Sequence, residues 1–112
     1  MDGYSLTAKM RKIRRRFRLT ATEQALYQEL ISICNEEGWS EIFRVANNEL
    51  FIALNITEKT LIKARESLIN SELIFYKSGK SKRSVGSYSF TKTFETAVKI
   101  TVDDIGNSIY GG

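Results

Sequence analysis

Between Leu54 and Glu58 the chain passes from one amphipathic segment into another with only Asn55, Ile56 and Thr57 in between. Asparagine tolerates the left-handed backbone that a tight turn requires, so Asn55 ends the first segment. Thr57 can cap the backbone N–H groups of the second. Two helices therefore meet at a tight turn. The first is short and runs through Glu49, Leu50, Phe51, Ile52, Ala53 and Leu54, with Asn47 or Asn48 as its N-cap. The second runs from Glu58 to about Ser71. At about 100° per residue, Leu61, Ala64 and Leu68 share its inner face, while Lys59, Thr60, Lys63 and Ser67 fall on the opposite arc. Arg65 lies near the apolar arc, so its stem is expected along the core with its charged head reaching out.

Two helices and three strands are expected around this pair. Leu6, Met10, Ile13 and Phe17 recur at the spacing of one apolar stripe, which predicts a basic amphipathic helix from about Ser5 to Phe17. Thr20 and Glu23 form a capping box that opens a second helix. Its stripe is Leu26, Leu30, Ile33 and Cys34, Gly38 stops it, and Trp39 anchors the connection that follows. Ile42 to Val45 reads as a short strand. Leu73 to Lys77 and Val85 to Phe90 read as a hairpin whose loop, Ser78 to Ser84, carries Lys80, Lys82 and Arg83. Alternation along the last strand sends Tyr88 and Phe90 to a core. Beyond Lys92, residues 94–105 give mixed signals and 106–112 look frayed or linker-like.

Composition narrows the chemistry. The chain has 112 residues, no proline, one cysteine and no histidine. That length suits one domain. The lack of imidazole and of a second thiol removes intramolecular disulfides, the usual zinc sites and nucleophiles activated by histidine. Adjacent carboxylates such as Glu36–Glu37 and Asp103–Asp104 point to different faces, and there is no glycine-rich phosphate loop. No enzyme, metal or cofactor is expected. The longest unbroken apolar run, Leu50 to Leu54, is far too short to cross a bilayer, and no signal peptide follows Met1, so a cytoplasmic protein without a membrane partner is expected.

The net charge of +4 conceals strong segregation. Before Leu19, the cations Lys9, Arg11, Lys12, Arg14, Arg15, Arg16 and Arg18 face only Asp2. From Leu19 to Glu58, Arg44 alone opposes seven glutamates, and from Lys59 to Lys92 basic residues dominate again. Two basic blocks separated by an acidic one point to a polyanion-binding surface built from both; a merely solvated face is the plain alternative. The first helix likewise has three readings. Its stripe packs on the domain or on a second copy, its Arg14, Arg15 and Arg16 form a nucleic-acid arm, or it lies on an anionic membrane, which its narrow stripe without tryptophan disfavours.

In order, the pieces are helix, strand, short helix, tight turn, longer helix, strand, basic loop and strand. This is the layout of a winged helix-turn-helix. The expected fold is α+β and mainly helical, with a small antiparallel sheet and an extra N-terminal amphipathic helix: residues 1–18 the helix or arm, 19–91 the winged domain, 92–112 an extension or linker. Such a fold presents its second turn-motif helix to the major groove and its hairpin loop to a flanking backbone. Lys59, Thr60, Lys63 and Ser67 would face the groove, with Lys80, Lys82 and Arg83 adding affinity that does not depend on sequence. DNA, most naturally duplex, is the expected partner. The rival is an oligomerisation or scaffold module in which Leu6, Met10, Ile13 and Phe17 pack against a neighbour to give a homo-oligomer.

The stretch from Leu54 to Ile74, the basic loop and Gly86-Ser87-Tyr88-Ser89-Phe90, preceded by Arg18 to Tyr27 and Trp39, resembles the N-terminal winged-helix domain of DnaD-like primosomal proteins and phage replisome organisers. The resemblance spans about Phe17 to Phe90. It implies a replication-initiation role for a phage, plasmid or mobile element: binding origin DNA, forming oligomers and helping to recruit a helicase loader or helicase. The pattern is shared in part with winged-helix transcription regulators, which leaves that role as the alternative. Two positions depart from the family, Glu72 and Asn55, each standing where glycine is usual. The residues beyond Phe90 are too few for a DnaD-type C-terminal domain, so a fragment or a small stand-alone protein is expected.

Overall fold

Each helix begins at a side chain able to replace missing backbone partners, with one exception that proves informative. In a computed structural model, which describes residues 2–79 and 85–91, α1 (Gly3–Phe17) starts two residues earlier than its apolar stripe predicts. The reason is Asp2, whose carboxylate accepts from the Ser5 N–H at 2.8 Å and is held below its ordinary pKa by that bond. Helix α2 (Ala21–Glu36) opens with the expected capping box: Thr20 Oγ1 accepts from the Glu23 N–H, and the Glu23 carboxylate accepts from the Thr20 N–H. Helix α4 (Glu58–Asn70) is capped by Thr57, and α3 (Asn47–Leu54) ends at Asn55 with φ 54°, both as expected. The exception is the start of α3. Neither Asn47 nor Asn48 caps it; Ala46 occupies that position without a side-chain bond, because the Asn47 side chain is buried and engaged elsewhere.

Three short strands complete the α+β, mainly helical fold. Strands β1 (Phe43–Ala46), β2 (Phe75–Lys77) and β3 (Val85–Ser89) form one antiparallel sheet in the order β1-β3-β2. Phe43 pairs with Tyr88 across one side of β3, and Tyr76 pairs with Tyr88 across the other. Strand β2 is shorter than expected because Leu73 and Ile74 belong to the exit from α4. There the Leu73 N–H bonds the Leu68 carbonyl and the Glu72 N–H bonds that of Ile69, a Schellman motif that buries Leu73 against Leu68. The same motif closes α2, where Gly38 and Trp39 donate to Asn35 and Cys34. Gly38 takes the left-handed position at φ 76° in α2, whereas Glu72 takes it in α4 at φ 62°.

One apolar cluster joins all four helices to the sheet. Its centre is Leu26, Tyr27, Leu30, Leu50, Leu61, Leu68, Leu73, Val45 and Tyr88, with Phe90 stacked edge-on against Tyr27 at 5.5 Å. Leu6 and Met10 belong to this cluster and Ile13 and Trp39 pack against it, so α1 is docked on α2 by its stripe. Phe17, the fourth member, overshoots the contact and is 52% exposed. Helix α2 buries a wider face than its stripe predicts, adding Tyr27 and Ile31, because α1 covers one side of it and α3 and α4 the other. Cys34 is buried and its thiol donates to the Ser40 carbonyl at 3.5 Å; burial, then Glu37, raises its pKa. The expectations for Lys80 to Ser84 and for 92–112 lie outside the described residues. Among the described residues no helix is long and apolar enough to cross a membrane.

Two stability predictions follow from this packing. A side chain at φ 62° is strained in a way glycine is not. Glu72→Gly is therefore expected to stabilise the chain by about 0.5–1 kcal/mol, read as a melting temperature higher by about 3–6 °C. Burial pushes the Tyr27 phenol far above its ordinary value, and Tyr88 is raised by burial against the opposing pull of Arg65. The folded chain thus favours the neutral phenols. Their contribution is complete below the unfolded value of about 10 and is lost as pH rises beyond it. Urea midpoints are expected to stay level from about pH 7 to about pH 9 and to fall above about pH 10, with Tyr27→Phe reducing the fall.

Candidate nucleic-acid interface

Helix α4 is held from below by a polar cluster that fixes which residues it turns outward. The Arg65 guanidinium, 8% exposed, donates through Nη1 to Asn47 Oδ1 and to the Tyr88 hydroxyl, each at 2.9 Å. Its Cζ lies 4.2 Å from the centroid of the Tyr76 ring, a cation–π contact. The Tyr76 and Tyr88 rings are themselves 4.9 Å apart. This corrects the expectation that the Arg65 head reaches solvent. A buried guanidinium needs acceptors and a polarisable face, and here α3, β3 and β2 supply all of them. Gly86 makes the arrangement possible, because a Cβ at that position would overlap the Tyr76 ring.

With Arg65 turned inward, the outward face of α4 is set. Lys59, Ile62, Lys63, Glu66 and Asn70 are exposed, whereas Thr60 and Ser67 are half-buried on its flank. The exposed arc is thus rotated from the expected one. Lys59 and Lys63 stand on it; Thr60 and Ser67 turn toward the start of α2. The Thr60 hydroxyl accepts from Thr57 Oγ1 at 3.0 Å, a bond internal to the cap. Thr60 and Lys63 share a shallow groove of about 260 Å³ with Thr20, Thr22 and Glu23. Ser67 and Asn70 share another of about 270 Å³ with Phe17, Arg18 and Leu19. The junction of α1 and α2 therefore lies alongside α4, which brings Arg18 near its exposed side.

The other basic candidates are distributed differently. Arg14, Arg15 and Arg16 occupy the last turn of α1 and are exposed, where cations also favour the helix C-terminus. Arg14 donates to Gln24 Oε1 at 2.9 Å, which ties it to α2. Arg15 stands with Tyr4, Thr7, Ala8 and Arg11 on the outward ridge of α1. Lys80, Lys82 and Arg83 lie outside the described residues. Of the apolar stripe, Leu6 and Met10 are buried in the chain's own core, so only Ile13 and Phe17 retain surface for a neighbour. Ile62, Glu66 and Asn70 join the candidate surface although the sequence pattern did not single them out; the inward turn of Arg65 is the signal that would have found them. No family model, curated protein or solved structure matches the chain.

The cluster under α4 yields a direct test. Arg65→Met keeps most of the volume but leaves Asn47 Oδ1 and the Tyr88 hydroxyl without their donor, a loss expected to cost about 2–3 kcal/mol. Equilibrium urea denaturation of the full chain measures it.

Proposed function

We propose that the chain is a non-enzymatic winged helix-turn-helix domain that binds duplex DNA and serves replication initiation in a phage, plasmid or mobile element. The observation that carries this reading is the outward face of α4. It follows a tight turn after α3, it carries Lys59 and Lys63, and it is braced by the buried Arg65 cluster. In such a domain this helix enters the major groove. The strand order β1-β3-β2 supports the same reading, since it sets β2 and β3 side by side as a wing whose loop carries the cations at 80, 82 and 83.

Charge and position divide the work. Lys59 and Lys63, one turn apart on the same face, reach neighbouring backbone phosphates along the groove, while Arg18, at the α1–α2 junction, approaches the same duplex from the flank. Arg15 and Arg16 lie on α1 and contribute attraction at longer range. The replication role, with oligomers and a helicase loader or helicase as partners, rests on the DnaD-like residues between Phe17 and Phe90; a transcription regulator of the same fold would use the same surface.

The test is a fluorescence-anisotropy titration of the full chain against random-sequence duplex and single-stranded DNA at two salt concentrations. Duplex is expected to bind more tightly, with strong salt dependence. The double variant Lys59→Ala, Lys63→Ala is expected to weaken binding to all duplexes and to lower the salt slope by about 2. Affinity and slope unchanged in the variant would remove α4 from the interface.

A further inference from the structure

The face that α4 turns outward is not the uniformly basic one expected of a helix that only tracks phosphates. Between Lys59 and Lys63 stands Ile62, 47% exposed and outside the apolar cluster that organises the core. One turn further on, Glu66 is exposed on the same face. A carboxylate directed at a phosphate backbone is repelled, and a branched aliphatic gains nothing from one. Both residue types have partners among base edges. In the major groove the single apolar group is the C5-methyl of thymine, and a carboxylate can accept from an exocyclic amino group.

Taking the duplex-DNA reading above as its basis, we infer that Ile62 is a specificity-determining residue that packs against the thymine C5-methyl group while Lys59 and Lys63 hold the flanking phosphates. The placement fits this task. Residues three and four apart are neighbours on a helix, so Ile62 projects beside Lys59 and between Glu58 and Glu66, while Lys63, four residues beyond Lys59, stands on the same outward side. Ile62 is also kept free to project. The inner side of α4 is occupied by Leu61, Ala64, Arg65 and Leu68, and the Arg65 cluster prevents the helix from rolling to cover it. Ile52, at 81%, is more exposed but stands on α3 with Asn48 and Glu49 as its exposed neighbours and no flanking cation, so no such charge complementarity supports it.

Deoxyuridine provides the test, because it differs from thymidine by this methyl group alone. The full chain is titrated by fluorescence anisotropy with an alternating A·T duplex and with the same duplex made with deoxyuridine. Alternation offers a thymine methyl at every step, so no particular register is needed. The wild type is expected to bind the thymine duplex about fourfold more tightly, the worth of burying one methyl group. Ile62→Ser should lose that preference while matching the wild type on the deoxyuridine duplex, and Ile62→Val should keep most of it. Melting temperatures should agree among the three, since Ile62 is not part of the core. Equal wild-type affinity for the two duplexes, or a preference that survives in Ile62→Ser, overturns the inference and leaves duplex binding standing. No binding to either duplex overturns the DNA-binding reading and this inference with it.

Discussion

Everything α4 presents to the outside depends on a cation it keeps inside. Arg65 is buried against an amide oxygen, a phenol hydroxyl and an aromatic ring, and no ion pair accompanies these contacts among the described residues. Neutral partners compensate a guanidinium less strongly than a carboxylate would, so the site depends on geometry: two hydrogen bonds from one nitrogen and the guanidinium carbon set over the Tyr76 ring. The geometry in turn draws on four elements. Asn47 comes from the first residue of α3, Arg65 from the middle of α4, Tyr76 from β2 and Tyr88 from β3. The cluster thus ties both helices of the tight turn to the sheet, and a rotation of α4 that exposed different side chains would have to dismantle it.

The chain solves the same backbone problem twice with different residues. Helices α2 and α4 both end in Schellman motifs that bring the chain back toward the core, burying Leu73 in one case and packing Trp39 partly in the other. In α2 the left-handed position falls to Gly38, and a Cβ there would meet open space, so backbone conformation alone favours glycine. In α4 the same position carries Glu72, and the burial of Leu68 and Leu73 outweighs the strain. Local preference decides the first ending, and tertiary packing overrides it in the second.

Much of the fold was legible in sequence because several elements advertise themselves locally. The Thr20–Glu23 box, the Thr57 cap, the left-handed Asn55 and the alternation that buries Tyr88 all concern residues a few positions apart. What the sequence hid involves distant partners. Asn47 has the chemistry of a helix cap, yet its side-chain oxygen is claimed by an arginine eighteen positions away. Arg65 has the charge of a surface residue, yet an asparagine and two tyrosines remote in sequence take it in. That one displacement also rotates the exposed arc of α4, which turns Ile62 and Glu66 outward and leaves Thr60 and Ser67 half-buried on its flank. Phe17 keeps the periodicity of the stripe yet stays exposed, in a shallow groove with Leu19, Ser67 and Asn70 rather than in the core.

The docking of α1 has a consequence for how its cations act. A basic segment on a loose tether sweeps a large volume and catches a polyanion in many orientations. With Leu6 and Met10 in the core, Asp2 capping its start and Thr7 and Arg14 bonded to Gln28 and Gln24 of α2, this helix has no such freedom. Its positive charge is printed on the body of the domain at fixed angles. Any polyanion drawn to it is therefore aligned as it arrives, and what α1 gives up in capture radius it returns as orientation.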